Sequence, residues 1–404
     1  MSPLSENLAP VPERLSVNPI VKRNDALTRE QALSRHILIT GGAGFIGSHV
    51  ADELIECGYS VRVLDNLSEQ VHGRSAGRPD YLHRDVELTV GDIRDPCEVR
   101  RALRGIDAVC HFAAKVGVGQ SMYEISEYIG VNDTGTAVLL EALIERPVER
   151  LLVASSMSIY GEGLYRAPDG STHNAVKRTL QQLRLGDWEP HGPGGETLAP
   201  VPTPESKTPS LESVYALSKY DQERLCMMIG SAYGIPAVAI RFFNVFGPRQ
   251  ALSNPYTGVL AIFASCYLNG NPPLIFEDGY QQRDFVHVRD VARACRLALE
   301  VPEASGRIFN IGSGHRYSIM EIAGRMAGVL GTEHIQPSIS GRYRMGDIRH
   351  CFADIDLARR VLGYEPLVSL DAGLVELAGW LEGQAAFDHV ARASSELATR
   401  GLTL

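Results

Sequence analysis

No two of the seven cysteines in this 404-residue chain stand at CxxC spacing. Cys57, Cys97, Cys110, Cys226, Cys266, Cys295 and Cys351 are scattered. That speaks against a zinc ribbon or a disulfide frame, and for small buried hydrophobes in a reducing, cytoplasmic setting. A basic excess is missing too. A formal charge of −9 argues against a nucleic-acid partner, although a local arginine cluster can still grip a phosphate. No uninterrupted apolar run approaches the ~18 residues of a membrane span. The first thirty residues lack the basic start, apolar core and small-residue cleavage site of a secretory signal. Internal repeats are absent. What is present, 44% hydrophobic and 22% charged residues, suits a soluble globule with a large core. The length fits two to three domains or one large α/β unit with additions.

Residues 1–34 are polar and proline-containing, and read as an irregular extension. From residue 36 short apolar runs alternate with helical spacing: "HILIT", "YSVRVLD", "VELTVGD", "AVCHFAA" and "RLLVASS" are strand-like, with helical segments such as 95–104 and 121–144 between them. This alternation predicts an α/β fold built on a doubly wound parallel sheet. Residues 162–210 break the rhythm with glycine and proline and read as a loop insertion with one short helix near 175–185. Helix 211–233 and strand 237–245 resume the pattern. The expected organisation is a first domain over 35–245, a smaller mixed lobe over 246–384 with segments returning to the first domain, and a tail over 385–404.

"ILITGGAGFIGSHV" places Gly42, Gly44 and Gly47 in GxGxxG spacing between a strand and a helix. The first glycine is expected to make the tight turn, the second to admit a diphosphate, and the third to let helix and strand pack. The helix N-terminus then offers free N–H groups to phosphate. Asp65 ends the next strand-like run, where a carboxylate accepts hydrogen bonds from ribose hydroxyls and repels a 2′-phosphate. NAD is therefore expected rather than NADP. Asp92 ends a further strand, where it or its neighbour Ile93 meets the adenine.

"SVYALSKYDQERL" sets Tyr215 and Lys219 four apart on one helix face. A phenol titrates near about 10; a nearby ammonium favours the phenolate and brings it towards a useful general base. "ASSMSIYG" adds a hydroxyl at a strand end.

Together "GGAGFIGSH", "HFAAKVG", "SSMSIYG", "YALSK" and "RDFVHVRD" resemble the extended short-chain dehydrogenase/reductase family, and within it the nucleotide-sugar epimerases and dehydratases. The resemblance spans about 36–380. It implies a Rossmann domain with a C-terminal substrate lobe, NAD as cofactor, and a triad of Ser156, Tyr215 and Lys219. It also implies a cofactor site of Gly41, Gly42, Gly44, Phe45, Ile46, Gly47, Asp65, Asn66, Asp92, Ile93, Ala113, Ala114 and Lys115 beside Tyr215 and Lys219. Val116, Gly117, Ser156, Met157, Ser158, Asn244, Phe276, Arg283 and Arg349 are expected at the substrate. Arg283 and Arg349 are the expected diphosphate ligands, with Arg342 and Arg344 nearby. Asn132 reads equally as a neighbour of the nicotinamide and as a core helix residue. No metal is expected, and the insertion is expected to be a metal-free flap over the sugar pocket.

Dehydratases and decarboxylating members resemble "STDEVYG" or "STSELYG" at this strand end. Here Met157 and Ser158 stand where those carry carboxylates. Water elimination is disfavoured, and reversible oxidation at C4 remains: a nucleotide-sugar 4-epimerase acting through a 4-keto intermediate. "DNLSEQVHG" and "SNPYTGV" most resemble dTDP-L-rhamnose 4-epimerases, and both a dTDP- and a UDP-linked sugar stay open. The competing readings are a 4,6-dehydratase or 4-ketoreductase of the same family and a non-catalytic NAD-binding scaffold. Family resemblance further implies a homodimer through 121–144 and 211–233.

Overall fold

The computed structural model describes residues 35–73, 77–174, 176–250, 258–344, 346–382 and 399–403. The expected extension over 1–34 and most of the expected tail, 385–398 and 404, lie outside them, as does part of "SNPYTGV". Five strands open the fold: β1 (His36–Thr40), β2 (Ser60–Asp65), β3 (Glu87–Val90), β4 (Ala108–His111) and β5 (Arg150–Ser156). Later come β6 (Ala237–Phe242) and β7 (Ile308–Ile311). They form one seven-stranded parallel sheet in the order β7-β6-β5-β4-β1-β2-β3.

Strand periodicity explains why the sheet is buried on both faces. Ile37 and Ile39 enter one core while Leu38 enters the other, and Leu152 and Leu151 divide likewise. Helices α1 (Phe45–Glu56) and α5 (Val288–Glu300) cover the first face. The second is covered by α2 (Pro96–Ala102), α3 (Gly135–Glu145) and α4 (Val214–Tyr233). Local chemistry sets their ends. Asp95 caps α2 by accepting from the Cys97 and Glu98 N–H groups, with Pro96 in the first turn. Ser213 caps α4 through the Ala216 N–H, and Gly234 ends it in the left-handed conformation. The expected helix over 121–144 is interrupted. Short turns at Val118–Ser121 and Ile125–Tyr128 lead into a π-turn, Ile129–Thr134, before α3 begins. Such bulges mark functional sites more often than chance.

Beyond β6 the chain builds a smaller lobe. Strands Asn244–Phe246 and Phe285–His287 pair in parallel. Helices Val259–Leu268, Ile319–Leu330 and Leu370–Glu382 pack around Phe263, Ile275, Phe285, Met326 and Leu377. Buried Asp284 ties this lobe to the end of β7, accepting from the Ser313 N–H and Oγ–H (both 2.7 Å), the Gly314 N–H (3.0 Å) and the Ala353 N–H (3.3 Å). Within the insertion, strand Leu164–Arg166 pairs antiparallel with Thr172–His173 and Ala199–Val201. The expected helix near 175–185 is confined to Leu180–Arg184.

Candidate functional site

A cavity of about 820 Å³ opens where the C-terminal ends of β1, β2, β4 and β5 face the smaller lobe. This is where ligands bind in open parallel sheets. Its floor is the β1–α1 turn. Gly41 carries that turn at φ +70°, with its N–H bonded to the Leu64 carbonyl at 2.8 Å. The turn was expected at Gly42. Gly42 instead packs against the sheet, where a Cβ would lie 2.5 Å from Val63 Cγ2, and it does not line the cavity. At Gly47 a Cβ would come within 2.6 Å of the Gly41 carbonyl oxygen, so helix and strand pack as closely as expected. Gly44 precedes α1, where a Cβ would meet only the Gly41 carbonyl oxygen at 3.4 Å, and the first turn of α1 holds no acidic residue. The uncompensated helix end, lined by Gly44, Phe45, Ile46 and Gly47, is suited to a diphosphate.

Asp65 ends β2 on the cavity wall, 8% exposed. Its carboxylate is anchored by the Ala43 N–H (3.0 Å) and the Leu67 N–H (2.9 Å), with His72 Nε2 at 3.7 Å. Two oxygens held in this way keep lone pairs for a ribose diol. Asn66 and Ile93 also line the cavity, but Asp92 does not. The Asp92 carboxylate is taken by Arg94, through Nε at 3.0 Å and Nη2 at 2.8 Å, and these bonds hold it below the usual carboxylate range. Arg94 is the residue that reaches the wall. These residues fit NAD: a diphosphate at the helix end and a ribose at Asp65.

Ser156 closes β5. Its Oγ accepts from the Ser158 N–H at 3.1 Å, lies 3.1 Å from Ser158 Oγ, and hydrogen-bonds the Tyr215 phenol. Tyr215 sits in the first turn of α4, its N–H held by Ser121 Oγ at 3.0 Å and its ring against the Tyr128 edge. Burial raises the phenol above its ordinary value, opposed by the Ser156 bond. The phenol is thus raised, not depressed as the Tyr–Lys spacing predicts, because burial dominates its surroundings. Burial brings the Lys219 ammonium down to about 8. Ala113, Ala114, Lys115, Val116 and Gly117 line the adjoining loop with Met157 and Ser158. Lys115 pairs with Glu124 at 2.9 Å.

Asn132, fully buried in the π-turn, is a clamp rather than a wall residue. Its Oδ1 accepts from the Lys115 N–H at 2.7 Å, and its Nδ2 donates to the Lys115 carbonyl (3.1 Å) and Ser218 Oγ (2.8 Å). Sequence spacing alone does not reveal this, because the π-turn turns the side chain towards the loop.

On the other wall stand Asn244, Phe276 and Arg283. The Asn244 Oδ1 is buried with no protein partner, an acceptor left for a ligand. Arg283 spends donors on the carbonyls of Gln282 (2.9 Å), Arg349 (2.9 Å) and Ile348 (2.5 Å). Arg349 does not reach the cavity. It is 1% exposed and its guanidinium is saturated by Glu189 (2.6 and 2.9 Å), Glu277 (3.0 Å) and Asp278 (2.6 and 3.0 Å). Arg344 takes the place expected of it, lining the wall with its guanidinium 5.3 Å from the Phe276 ring centroid. Both arginines were visible in "GRYRMGDIRH"; which one faces the cavity depends on the strand His350–Cys351 that follows.

The insertion does not form the expected flap. No described residue of 162–210 lines the cavity. Glu162, Arg178 and Glu189 instead enter the ion cluster around Arg349 and Glu277, behind the substrate wall. Among the described residues no group of three or more His, Cys, Asp or Glu side chains is placed to hold a metal ion.

The model of the NAD dependent epimerase/dehydratase family matches residues 37–181 and 190–312. A dTDP-L-rhamnose 4-epimerase of Burkholderia thailandensis is 35% identical over 352 residues, 86% of this chain and 95% of that protein. A UDP-N-acetyl-alpha-D-glucosaminuronate decarboxylase of Bacillus cytotoxicus is 28% identical over 86% of this chain and 98% of its own length. Among solved structures, the Thermus thermophilus UDP-glucose 4-epimerase in complex with NAD superposes with a TM-score of 0.68. It is 30% identical, over 87% of this chain and all of that one.

Proposed function

The chain belongs to the NAD-dependent epimerase/dehydratase family, and from that premise we propose that it inverts C4 of a nucleotide-diphosphate sugar through a transient 4-keto intermediate. The observation that carries this reading is the wall after Ser156. Met157 and Ser158 line the cavity there, and neither is an acid that assists loss of a substituent. Other wall carboxylates beyond Asp65 are committed elsewhere. Glu212 pairs with Lys177 at 3.2 Å, Glu127 faces Arg94 at 3.7 Å, and Asp347 holds Arg344 at 3.0 Å and Arg283 at 3.5 Å.

NAD, when bound, takes up and returns the hydride. The chain's own groups handle the proton and the geometry. Ser156 Oγ accepts the Ser158 N–H and donates to Ser158 Oγ at 3.1 Å; turning that hydrogen from Ser158 to the reacting sugar oxygen lets it hold the hydroxyl and then the ketone. Tyr215 takes the proton of the 4-hydroxyl and later gives it back. Because burial opposes phenolate, the positive ring of bound NAD, added to the ammonium already at Lys219, is what would make this base available. Arg283 and Arg344 receive the diphosphate, Asn244 Oδ1 accepts from a sugar hydroxyl, and Phe276 flanks the base. Gly117, at φ +127°, and Gly119 keep the wall low, leaving room for a ketose to turn over. We assign the substrate to the dTDP- or UDP-linked hexoses.

Purified protein incubated with dTDP-6-deoxyhexoses, UDP-hexoses and UDP-uronates is expected to yield a C4 epimer of unchanged mass, without net NADH. Loss of water or carbon dioxide from the sugar, or net consumption of reduced cofactor, would replace this reading with elimination, decarboxylation or ketoreduction.

A further inference from the structure

Gln222 lies one turn beyond Lys219 on α4, fully buried. Its Oε1 accepts from Lys219 Nζ at 2.6 Å. Its Nε2 lies 2.9 Å from Thr136 Oγ1, 3.3 Å from the Ala113 carbonyl oxygen and 3.2 Å from His111 Nε2. Which way this amide points follows from counting hydrogens through the surrounding groups.

The Thr136 hydroxyl donates to the Asn132 carbonyl at 2.5 Å, so its oxygen is left to accept. Burial holds His111 neutral, its imidazole brought down to about 3, so the ring carries one N–H. Thr40 Oγ1 accepts from the Ala113 N–H at 3.2 Å and donates its hydrogen to His111 Nδ1 at 2.8 Å. The ring proton is therefore on Nε2, and it donates to Thr136 Oγ1 at 2.8 Å. His111 Nε2 is then no acceptor, and the two Gln222 hydrogens go to Thr136 Oγ1 and the Ala113 carbonyl. Every polar atom of the network is satisfied in this one arrangement. Flipping the amide would set N–H against N–H at Lys219 and oxygen against oxygen at Ala113.

We propose that Gln222 is a positioning residue that aims the ammonium of Lys219 at the cavity and keeps it charged without neutralising it. The inference deepens the epimerase reading and rests on it for its catalytic meaning. A neutral acceptor takes one of three ammonium hydrogens and leaves two for the cavity side. A carboxylate at the same place would cancel the positive field that the Tyr215 phenolate needs. The other charged or titratable groups facing Lys219 are Asp133 from the π-turn, Glu223 and Cys226 from its own helix, and His111 from β4. Glu223 is spent on Arg241, at 2.7 and 2.9 Å, and on Ser155 at 2.7 Å. Asp133 is itself pushed up to about 7 by burial and by Asp221. Gln222 is the partner within hydrogen-bond distance of Nζ.

The sign of the effect follows from the lysine. Its ammonium persists below about 8 and is lost above. Removing an acceptor that favours the charged form lowers that midpoint; placing a carboxylate there raises it. The chain has five lysines, so the ¹³Cε resonance of Lys219, assigned with Lys219→Arg, can be titrated in the NAD-loaded protein. Gln222→Met is expected to move the midpoint down by about one pH unit, and the near-isosteric Gln222→Glu to move it up by about as much. The alkaline limb of the kcat profile should follow in the same directions. Coincident midpoints in both variants and the parent would overturn the proposal, even if kcat and melting temperature fell, since a packing role changes those without moving the titration. Should Gln222→Met fail to fold, the upward shift in Gln222→Glu decides alone. If the parent turns over no nucleotide sugar, the functional reading fails while the titration still decides this one.

Discussion

At the scale of single residues the site depends on a few atoms whose environment sets their behaviour. Tyr215 is a poor base until positive charge is placed near it, because burial pushes its phenol up. Tyr215→Phe is expected to lower kcat by roughly 10²–10⁴-fold, with substrate KM and melting temperature little changed; steady-state kinetics beside a thermal melt tests this. The glycines of the turn separate by role. Gly42→Ala drives a methyl to 2.5 Å from Val63 and should cost about 1–3 kcal/mol in stability. Gly44→Ala meets only the Gly41 carbonyl oxygen, at 3.4 Å. It should fold normally but bind NAD more weakly, read by calorimetry against denaturant unfolding of both variants. The GxGxxG spacing was legible in the sequence, but its division of labour was not. Which glycine turns and which packs depends on the distance to β2, and that is a tertiary quantity.

At the scale of elements, the insertion and the strand His350–Cys351 decide what the arginines do. Arg349 is enclosed by Glu189, Glu277 and Asp278. Arg349→Met takes a buried cation from three carboxylates, but Glu277 keeps Arg178 and Glu189 and Asp278 are partly exposed, so it should cost about 2 kcal/mol, less than a fully buried broken pair, seen as a lower urea midpoint. Arg344, on the wall, should behave in the opposite way. Arg344→Ala is expected to raise KM for the nucleotide sugar about tenfold or more, with stability nearly unchanged, since its loss removes a ligand contact and an exposed pair with Asp347. In the sequence both are arginines of one short motif. Partners contributed by residues 162–210 separate them, and no local pattern carries that information.

At the scale of the whole molecule, two apolar cores clamp one parallel sheet, and a third core holds the smaller lobe against its strand ends. Ile125, Leu217 and Met228 remain exposed on the helical segments expected at a dimer interface. We expect a homodimer by light scattering, reverting to monomer in Leu217→Glu/Met228→Glu. The sequence by itself determined the sheet, the glycine turn, Asp65 and the Ser156–Tyr215–Lys219 set. The sheet and the Tyr215–Lys219 pair rest on periodicity or on spacing along one helix, which the backbone carries faithfully into space, while Asp65 and Ser156 rest on their places at strand ends and on the resemblance to the family. Only the tertiary structure decided that Arg344 faces the cavity and Arg349 does not, that Asp92 holds Arg94, that Asn132 clamps the loop, and that Gln222 orients Lys219. Those roles depend on hydrogen bonds and ion pairs between residues far apart in the chain, and competition for partners, which sets them, exists only once the chain has folded.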